Sequence, residues 1–245
     1  MTILALVRTL FAAAVTSAVL WALSPAHAGP LGQPLGLAAV AADTEPFGLL
    51  RSELESGPLR DKWQTLARKL EDERVQLALC DGDRERCVSP AALRLLAIVD
   101  QGRAKEGRAR LGEINRAINL AIHPASDLAQ YGEMDVWASP LATFASLAGD
   151  CEDYAIAKFV ALRLAGLPPQ DLRIIILRDT MRGEDHAVVA ARLDGRWLLL
   201  DNQRMAMIQD SDARQIRPRF VLDDSGIAAL QAASWVAQVS NRSRD

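Results

Sequence analysis

Histidine, cysteine and aromatic residues are scarce in this chain: its 245 residues include three histidines, three cysteines and only 5% aromatic residues. It has no Cys/His cluster with zinc-site spacing and no HExxH, GxSxG or phosphate-loop motif, which argues against zinc hydrolases, α/β-type serine hydrolases and P-loop nucleotidases. The formal net charge is −3, and the basic residues are scattered. Without a basic patch or an aromatic stacking surface, nucleic acid is not the expected partner.

Long hydrophobic runs are also missing beyond the N-terminus. Arg8 precedes the apolar run Leu10–Leu23, which Ser24-Pro25 interrupts before Ala26-His27-Ala28. This order is typical of a secretory signal peptide that is cleaved after a small residue. A membrane anchor is the alternative, but the run is shorter than the roughly 20 residues of a spanning helix. We therefore expect residues 1–28 to direct export, and the mature chain not to span the membrane.

Three cysteines leave an exported chain with one thiol that cannot pair internally. Cys80 and Cys87 bracket the polar loop Asp81–Arg86, which a disulfide could close in an oxidising compartment. Cys151 is then unpaired. An isolated cysteine is usually a small hydrophobic residue, but acidic residues flank this one on both sides. We predict a Cys80–Cys87 disulfide and a free thiol at Cys151.

The rest of the chain is organised as an arm followed by one domain. Residues 29–44 are rich in Gly, Pro and Ala without an amphipathic period, which predicts a flexible arm. Residues 45–245 are expected to fold as a single domain. Helical patterns cover Leu59–Leu79, the segment from Pro90 with Ser89 as N-cap, Gly107–Ile122 and Asp150–Ala165; strand patterns cover Leu172–Leu177, Ala187–Leu193 and Trp197–Asp201. Helices first and antiparallel strands later predict an α+β fold.

The helix predicted over Asp150–Ala165 is apolar on nearly all sides, so we expect it to be buried. Cys151 stands in its first turn, where the positive end of the helix dipole favours a thiolate. This position suits a nucleophile. A nucleophilic thiol also needs a base that takes its proton and later supplies one to the leaving group.

Few residues of the mature chain can serve as that base. His27 is lost with the signal peptide, and His123 precedes Pro124 at a helix end, where a structural role is more usual. His186 remains, and we predict that it is the base.

A hairpin predicted at Asp194-Gly195 brings a carboxylate to His186. If its loop has two residues, Val188 faces Asp201 across the strands. His186 then faces Gln203 and points to the same side of the sheet as Asp201. The two are diagonal neighbours, roughly 7–8 Å apart at the backbone, so their side chains can reach a hydrogen bond unless a bulge shifts the register. An aspartate there would fix the imidazole tautomer and stabilise the imidazolium.

The acids beside the thiol, Asp150, Glu152 and Asp153, have two interpretations. Acids at a helix start are commonly caps and dipole partners. However, three carboxylates around a thiolate raise its pKa by repulsion, and a bound Ca²⁺ would cancel their charge. The residues alone leave both interpretations open.

Four segments carry a resemblance to a known family: Trp137-Ala138-Ser139-Pro140, Gly149–Lys158, Asp185-His186-Ala187 and Leu200-Asp201-Asn202. They are similar to motifs of the bacterial transglutaminase-like cysteine peptidases, whose best-known members are the periplasmic LapG-type proteases. The resemblance spans about residues 45–225. It implies a papain-like/transglutaminase-like fold, in which N-terminal helices and the buried Cys-bearing helix pack on an antiparallel sheet.

The resemblance also implies a function. The implied catalytic triad is Cys151, His186 and Asp201. The implied cofactor is Ca²⁺, held by Asp150, Glu152 and Asp153. LapG-type proteases act in the periplasm, where they cut the N-terminal region of large surface adhesins near a di-alanine motif and so release biofilm. An inner-membrane receptor that responds to cyclic di-GMP sequesters them.

The expected function is therefore that of a periplasmic, calcium-dependent cysteine endopeptidase. Two alternatives fit the same residues. One is a transglutaminase-like acyl transferase or deamidase, which would form the same thioester. The other is a non-catalytic binding module that keeps the fold.

Overall fold

The computed structural model of the protein describes residues 45–232. The predicted signal peptide, residues 1–28, and the predicted arm, residues 29–44, lie outside this range, as do residues 233–245 of the predicted domain. Between residues 45 and 232, no helix combines the length and the apolar character needed to cross a bilayer.

The described chain begins with its helices and ends with its sheet. The α-helices are α1 (Pro58–Gly82), α2 (Pro90–Arg103), α3 (Gly107–Ala121), α4 (Asp127–Tyr131), α5 (Pro140–Ser146) and α6 (Cys151–Leu164). The strands are β1 (Leu50–Glu53), β2 (His123–Pro124), β3 (Ala148–Gly149), β4 (Leu172–Asp179), β5 (Glu184–Leu193), β6 (Arg196–Leu200), β7 (Ile208–Gln209), β8 (Ile216–Asp223) and β9 (Gly226–Gln231).

Seven strands form one antiparallel sheet in the order β1-β9-β8-β4-β5-β6-β7, and β2 pairs with β3 in a separate parallel ladder. Helix α6 packs against β4 and β5, and α2 and α3 pack against α6. The main core lies between these helices and the sheet and includes the fully buried Leu95, Ile114 and Leu162. The predicted α+β fold, with a buried Cys-bearing helix on an antiparallel sheet, is confirmed.

Helix α6 ends where its sequence stops it. The Leu167 N–H donates to the Leu162 carbonyl over 3.0 Å, and the Gly166 N–H donates to the Arg163 carbonyl over 3.0 Å. This pair of bonds is a Schellman motif, which places Gly166 at φ +94°, a conformation that glycine adopts without steric cost. The predicted end of the helix at Gly166 is therefore confirmed. The buried side chains of α6 pack against β4 and β5.

The hairpin between β5 and β6 has the predicted two-residue loop. Asp194 and Gly195 both have positive φ, 51° and 74°, as a type I′ turn requires. The pairing runs from Leu193–Arg196 to Val189–Leu200 without a bulge, in the predicted register. The ladder ends at the Val189–Leu200 pair, because β6 ends at Leu200, so the predicted pairs Val188–Asp201 and His186–Gln203 are not part of it. The candidate catalytic residues lie just beyond this end.

Helices α1 and α2 are joined by a short disulfide-closed loop. Cys80, in α1, is bonded to Cys87 in the loop that follows, as predicted. Ser89 then caps α2 by accepting from the Ala92 N–H over 3.2 Å, and Pro90 occupies the first helical position. The structure leaves Cys151 as the free thiol.

Candidate active site

Cys151 is the first residue of α6, and its side chain is half-buried. Its Sγ lies 3.1 Å from Oε2 of Glu152. Burial raises the pKa of the Cys151 thiol well above its ordinary value, and the charge and hydrogen bond of Glu152 raise it further. A hydrogen bond from the Ala187 backbone N–H lowers the pKa of the thiol and so opposes these two effects. Burial and the neighbouring acids therefore favour the protonated thiol over the thiolate.

His186 and Asp201 form a close pair just beyond the end of the β5–β6 ladder. His186 Nε2 lies 2.9 Å from Asp201 Oδ1, and the imidazole is only 9% exposed. The hydrogen bond joins the two side chains that the hairpin register predicted to be diagonal neighbours. Because Nε2 is engaged with the carboxylate, Nδ1 is the ring atom left to exchange a proton with a thiol.

Asp201 is itself held from several sides. The Gln203 backbone N–H donates to Asp201 Oδ1 over 2.9 Å, and the Asn119 side-chain amide donates to the Asp201 carbonyl over 2.9 Å. Burial alone would raise the pKa of Asp201, but the hydrogen bond and charge of His186, the Gln203 N–H and the charge of Lys158 hold it below its ordinary value. Asp201 is thus a fixed, ionised acceptor for the imidazole.

Cys151 and His186 line one cleft of about 390 Å³. Asp150, Asn202 and Gln203 also border it. Asp201 instead borders a second cavity, of about 570 Å³, which His186 borders as well. A substrate in the cleft would meet the thiol and the imidazole but not the carboxylate. The remaining histidine of the described chain, His123, is exposed in β2 and does not border either cavity.

Three carboxylates gather next to Cys151. Oxygens of Asp127, Asp150 and Glu152 lie within 4.8 Å of one another. Two of the three predicted ligands, Asp150 and Glu152, thus lie together with Asp127, whereas Asp153 is not part of this group. The calcium site itself stays a prediction. Asp153 is fully buried on α6, where its Oδ1 accepts from the Ala138 N–H over 2.8 Å. It fastens the loop that contains Ala138 to the start of α6.

The acidic cluster is not neutralised by nearby side chains. Oδ1 of Asp127 and Oδ1 of Asp150 are buried without a hydrogen-bond partner in the described part of the chain. Burial, and after it the hydrogen bond with Glu152 and the negative charge of Glu152, raise the pKa of Asp150 far above its ordinary value. The positive charge of Lys62 lowers the pKa of Asp127, but the Lys62 ammonium is already paired with Asp135, whose Oδ2 lies 2.6 Å from Nζ. Hard oxygen donors with unused lone pairs fit a divalent cation such as Ca²⁺.

Comparison with known proteins places the chain in a family. Residues 77–237 match the family described as bacterial transglutaminase-like cysteine proteinase BTLCP. The chain belongs to this family. The predicted family is thereby confirmed, and with it a cysteine-protease type of enzyme. No curated protein matches the chain significantly.

Solved structures of Legionella pneumophila LapG share the fold of this bacterial transglutaminase-like cysteine proteinase. One is 20% identical, covers 66% of this chain and 91% of its own, and gives a TM-score of 0.54. An EGTA-treated form is 20% identical, covers 64% of this chain and 90% of its own, and gives a TM-score of 0.53. A calcium-bound form is 20% identical, covers 74% of this chain and 98% of its own, and gives a TM-score of 0.51.

Lys158 lies near Asp201 and was not predicted as a site residue. It lies on α6, two turns after Cys151, and is 1% exposed. Burial lowers its pKa to about 7, while the charge of Asp201 opposes that shift. Its Nζ lies 5.9 Å from the centre of the Tyr154 ring. A single lysine in the apolar part of a buried helix was the available signal, since buried cations usually have a charged partner.

Proposed function

We propose that this protein is an exported, calcium-dependent cysteine endopeptidase that cuts the N-terminal region of a large surface adhesin. The observation that carries the proposal is the 2.9 Å contact between His186 Nε2 and Asp201 Oδ1, with His186 and Cys151 lining one cleft. A thiol, an imidazole and an orienting carboxylate are the parts that thiol-dependent acyl transfer requires.

In the proposed reaction, His186 Nδ1 takes the proton of the Cys151 thiol. The sulfur attacks the scissile carbonyl carbon, a C–S bond forms, and the imidazolium gives its proton to the leaving amine as the C–N bond breaks. His186 then deprotonates a water that hydrolyses the thioester and frees the sulfur. The Cys151 backbone N–H, at the first position of α6, is the proposed oxyanion donor. Asp201 keeps the imidazole oriented throughout.

Asp127, Asp150 and Glu152 are the residues that would hold Ca²⁺. The bound cation would supply positive charge to the carboxylates beside the thiol. Their geometry supports this proposal, because two of their oxygens are buried and unpartnered. The calcium-bound and EGTA-treated forms of Legionella pneumophila LapG are further support.

Export, substrate and receptor complete the proposal. The Cys80–Cys87 disulfide supports an oxidising compartment such as the periplasm. The family motifs around Cys151 and His186 support an adhesin with a di-alanine site as substrate, and an inner-membrane cyclic di-GMP receptor as the sequestering partner. Binding of the purified protein to such a receptor domain, with and without the dinucleotide, tests that partner.

Cleavage of an adhesin fragment tests the catalytic proposal. The wild-type protein with Ca²⁺ should yield two fragments, whereas a folded Cys151→Ala variant should yield none. Cleavage by that variant would contradict the nucleophile assignment. Adding a primary amine and weighing the products distinguishes hydrolysis from acyl transfer, because transfer would leave the amine attached to the substrate.

A further inference from the structure

One face of α3 reaches the segment that begins with Asp201. We infer that Asn115 and Asn119 are positioning residues of the proposed triad: their side-chain amides hold this segment so that the Asp201 carboxylate meets the imidazole of His186. This role rests on the proposed endopeptidase function and extends it to two residues that do not border the catalytic cleft.

The segment that begins with Asp201 depends on outside contacts for its shape. Residues 201–207, which we call the acid loop, join β6 to β7 and contain no helix or strand. Four of its side chains are exposed: Gln203, Arg204, Met205 and Ala206. A segment with few buried side chains and no ladder of its own is held only as firmly as its neighbours hold it.

Two asparagines of α3 supply hydrogen bonds to the acid loop. The Asn119 amide donates to the Asp201 carbonyl over 2.9 Å and to the Arg204 carbonyl over 3.4 Å. The Asn115 amide, one turn earlier, donates to the Arg204 carbonyl over 3.4 Å and to the Met205 carbonyl over 3.2 Å. The two side chains thus hold three carbonyls of one short loop.

The same face of α3 continues to Arg108, two turns before Asn115. The Arg108 guanidinium donates to the Met207 carbonyl over 3.1 Å, so α3 holds both ends of the acid loop. Helix α3 also packs against α6, which begins at Cys151. The acid loop is therefore attached to a helix that packs on the helix of the thiol.

The backbone of the acid loop sets the direction of the Asp201 carboxylate. Oδ1 of Asp201 accepts from the Gln203 backbone N–H over 2.9 Å and lies 2.9 Å from His186 Nε2. One oxygen is thus tied both to the loop and to the imidazole. If the Asp201 carbonyl moved away from Asn119, this oxygen would turn or shift with the backbone and its contact with His186 would loosen.

Packing alone does not account for amides at these two positions. Asn115 is fully buried, and its Oδ1 has no hydrogen-bond partner within residues 45–232. The Oδ1 of Asn119 is likewise buried without a described partner. A buried acceptor without a donor destabilises a fold, so stability by itself would favour apolar side chains here. The contacts of the two amide nitrogens with the acid loop give the asparagines a reason to be present.

Removing the Asn119 amide tests this role. Asn119→Ala should lower kcat by up to roughly 100-fold, the cost of misplacing a catalytic group by about 1 Å, and should leave KM nearly unchanged. Asn119→Asp, which keeps the shape and loses the donor, should do the same. Arg116→Ala is the matched control, because Arg116 is exposed on the same helix and pairs with Glu113. The assay is cleavage of an adhesin fragment in the presence of Ca²⁺.

A double-mutant cycle shows whether Asn119 acts through Asp201. In the Asp201→Asn background, Asn119→Ala should cause no further loss of kcat, because the placement of the carboxylate no longer matters once it is gone. Losses that multiply in the double variant would show that Asn119 acts by another route, and would overturn the inference.

The ring nitrogens of His186 report the same placement without a substrate. In the Cys151→Ala protein, kept in mildly alkaline solution, ¹⁵N chemical shifts show which ring nitrogen carries the proton. With Asp201 in place the proton should reside on Nε2. Asn119→Ala should move the shifts toward a mixture of both tautomers, whereas Arg116→Ala should leave them unchanged.

The two readouts separate this role from the proposed function. A tautomer mixture in Asn119→Ala, with no cleavage by the wild type, would support the positioning role and contradict the endopeptidase. Unchanged ¹⁵N shifts and unchanged kcat in Asn119→Ala, with cleavage by the wild type, would overturn the positioning role and leave the endopeptidase standing.

Discussion

Gly149 lies so close to Asp153 that a Cβ atom at position 149 would stand 2.6 Å from Oδ2 and 2.7 Å from Cβ of Asp153. Gly149 ends β3 and directly precedes Asp150 and Cys151. Only a glycine permits the last turn before α6 to pack on the carboxylate that holds the Ala138 loop. The start of the catalytic helix is therefore sterically fixed.

Gly149→Ala should lower the free energy of unfolding by about 1–3 kcal/mol, the usual cost of overpacking, and should reduce kcat by displacing Cys151. Urea denaturation and peptidase assays measure both effects. Gly112→Ala is the control: a Cβ there meets only Met207 at 3.5 Å, and alanine favours the helix by up to about 1 kcal/mol. Equal stability of the two variants would show that the contact is readily relaxed.

Asp201→Asn should lower kcat by roughly three to four orders of magnitude, as in a serine-protease triad whose aspartate becomes an amide. The amide cannot keep the imidazole in the tautomer that accepts the thiol proton. Asp194→Asn, at the hairpin turn, should leave kcat unchanged because asparagine also suits that turn. Steady-state kinetics on one peptide compare the two, and near-normal turnover by Asp201→Asn would exclude the triad.

Lys158→Met should stabilise the fold and yet slow the enzyme. Replacing a buried charge with an apolar side chain of similar length is often stabilising by about 1–4 kcal/mol. Activity should fall, because the charge that helps to keep Asp201 ionised is lost. Urea denaturation and kcat measure the two effects, with the exposed Lys69→Met as the control.

The pH dependence of that stability has a defined sign. The pKa of Lys158 is about 7 in the folded protein and near its ordinary 10.5 when unfolded. Between these values the unfolded chain binds more protons, so wild-type stability gains a contribution as pH rises from about 7 to about 10.5. Lys158→Met should lose this slope. An identical slope in both proteins would show that Lys158 keeps its charge when buried.

Ca²⁺ should raise the melting temperature and the activity, and EGTA should reverse both. Binding requires ionised carboxylates, so the effect should fade as the solution becomes acidic. Asp127→Asn should weaken calcium binding, measured by calorimetry. Asp153→Ala should instead destabilise the protein with and without calcium, since the buried Ala138 N–H would lose Asp153 Oδ1, its acceptor at 2.8 Å. A chelator without effect would leave the acids as structural residues.

The His186–Asp201 pairing could be predicted because two residues, Asp194 and Gly195, determine the parity of the whole hairpin. The position of Asp127 beside Asp150 and Glu152 could not be predicted in this way. Asp127 reaches the acids of α6 through the two-residue ladder of His123–Pro124 with Ala148–Gly149. So short a ladder leaves no strand pattern in the sequence.

Four strands of the main sheet also escaped prediction: β1, β7, β8 and β9. The two longest of them, β8 and β9, show why. β8 contains Pro218, and its pairing with β4 shifts register between Ile176 and Leu177, so the alternation is broken. β9 begins at Gly226 and includes adjacent alanines, Ala228 and Ala229, which have low strand preference. These segments are strands because neighbouring strands cover them, which a local pattern does not report.

The Cys80–Cys87 disulfide allows the concentration of the protein to be measured from its free thiol. With two of its three cysteine sulfurs engaged in the disulfide, the oxidised chain offers a single free –SH, the one at position 151. A colorimetric thiol assay under denaturing, non-reducing conditions therefore gives the molar concentration of chains that retain the Cys151 thiol. Any reading below one equivalent measures the fraction lost to oxidation.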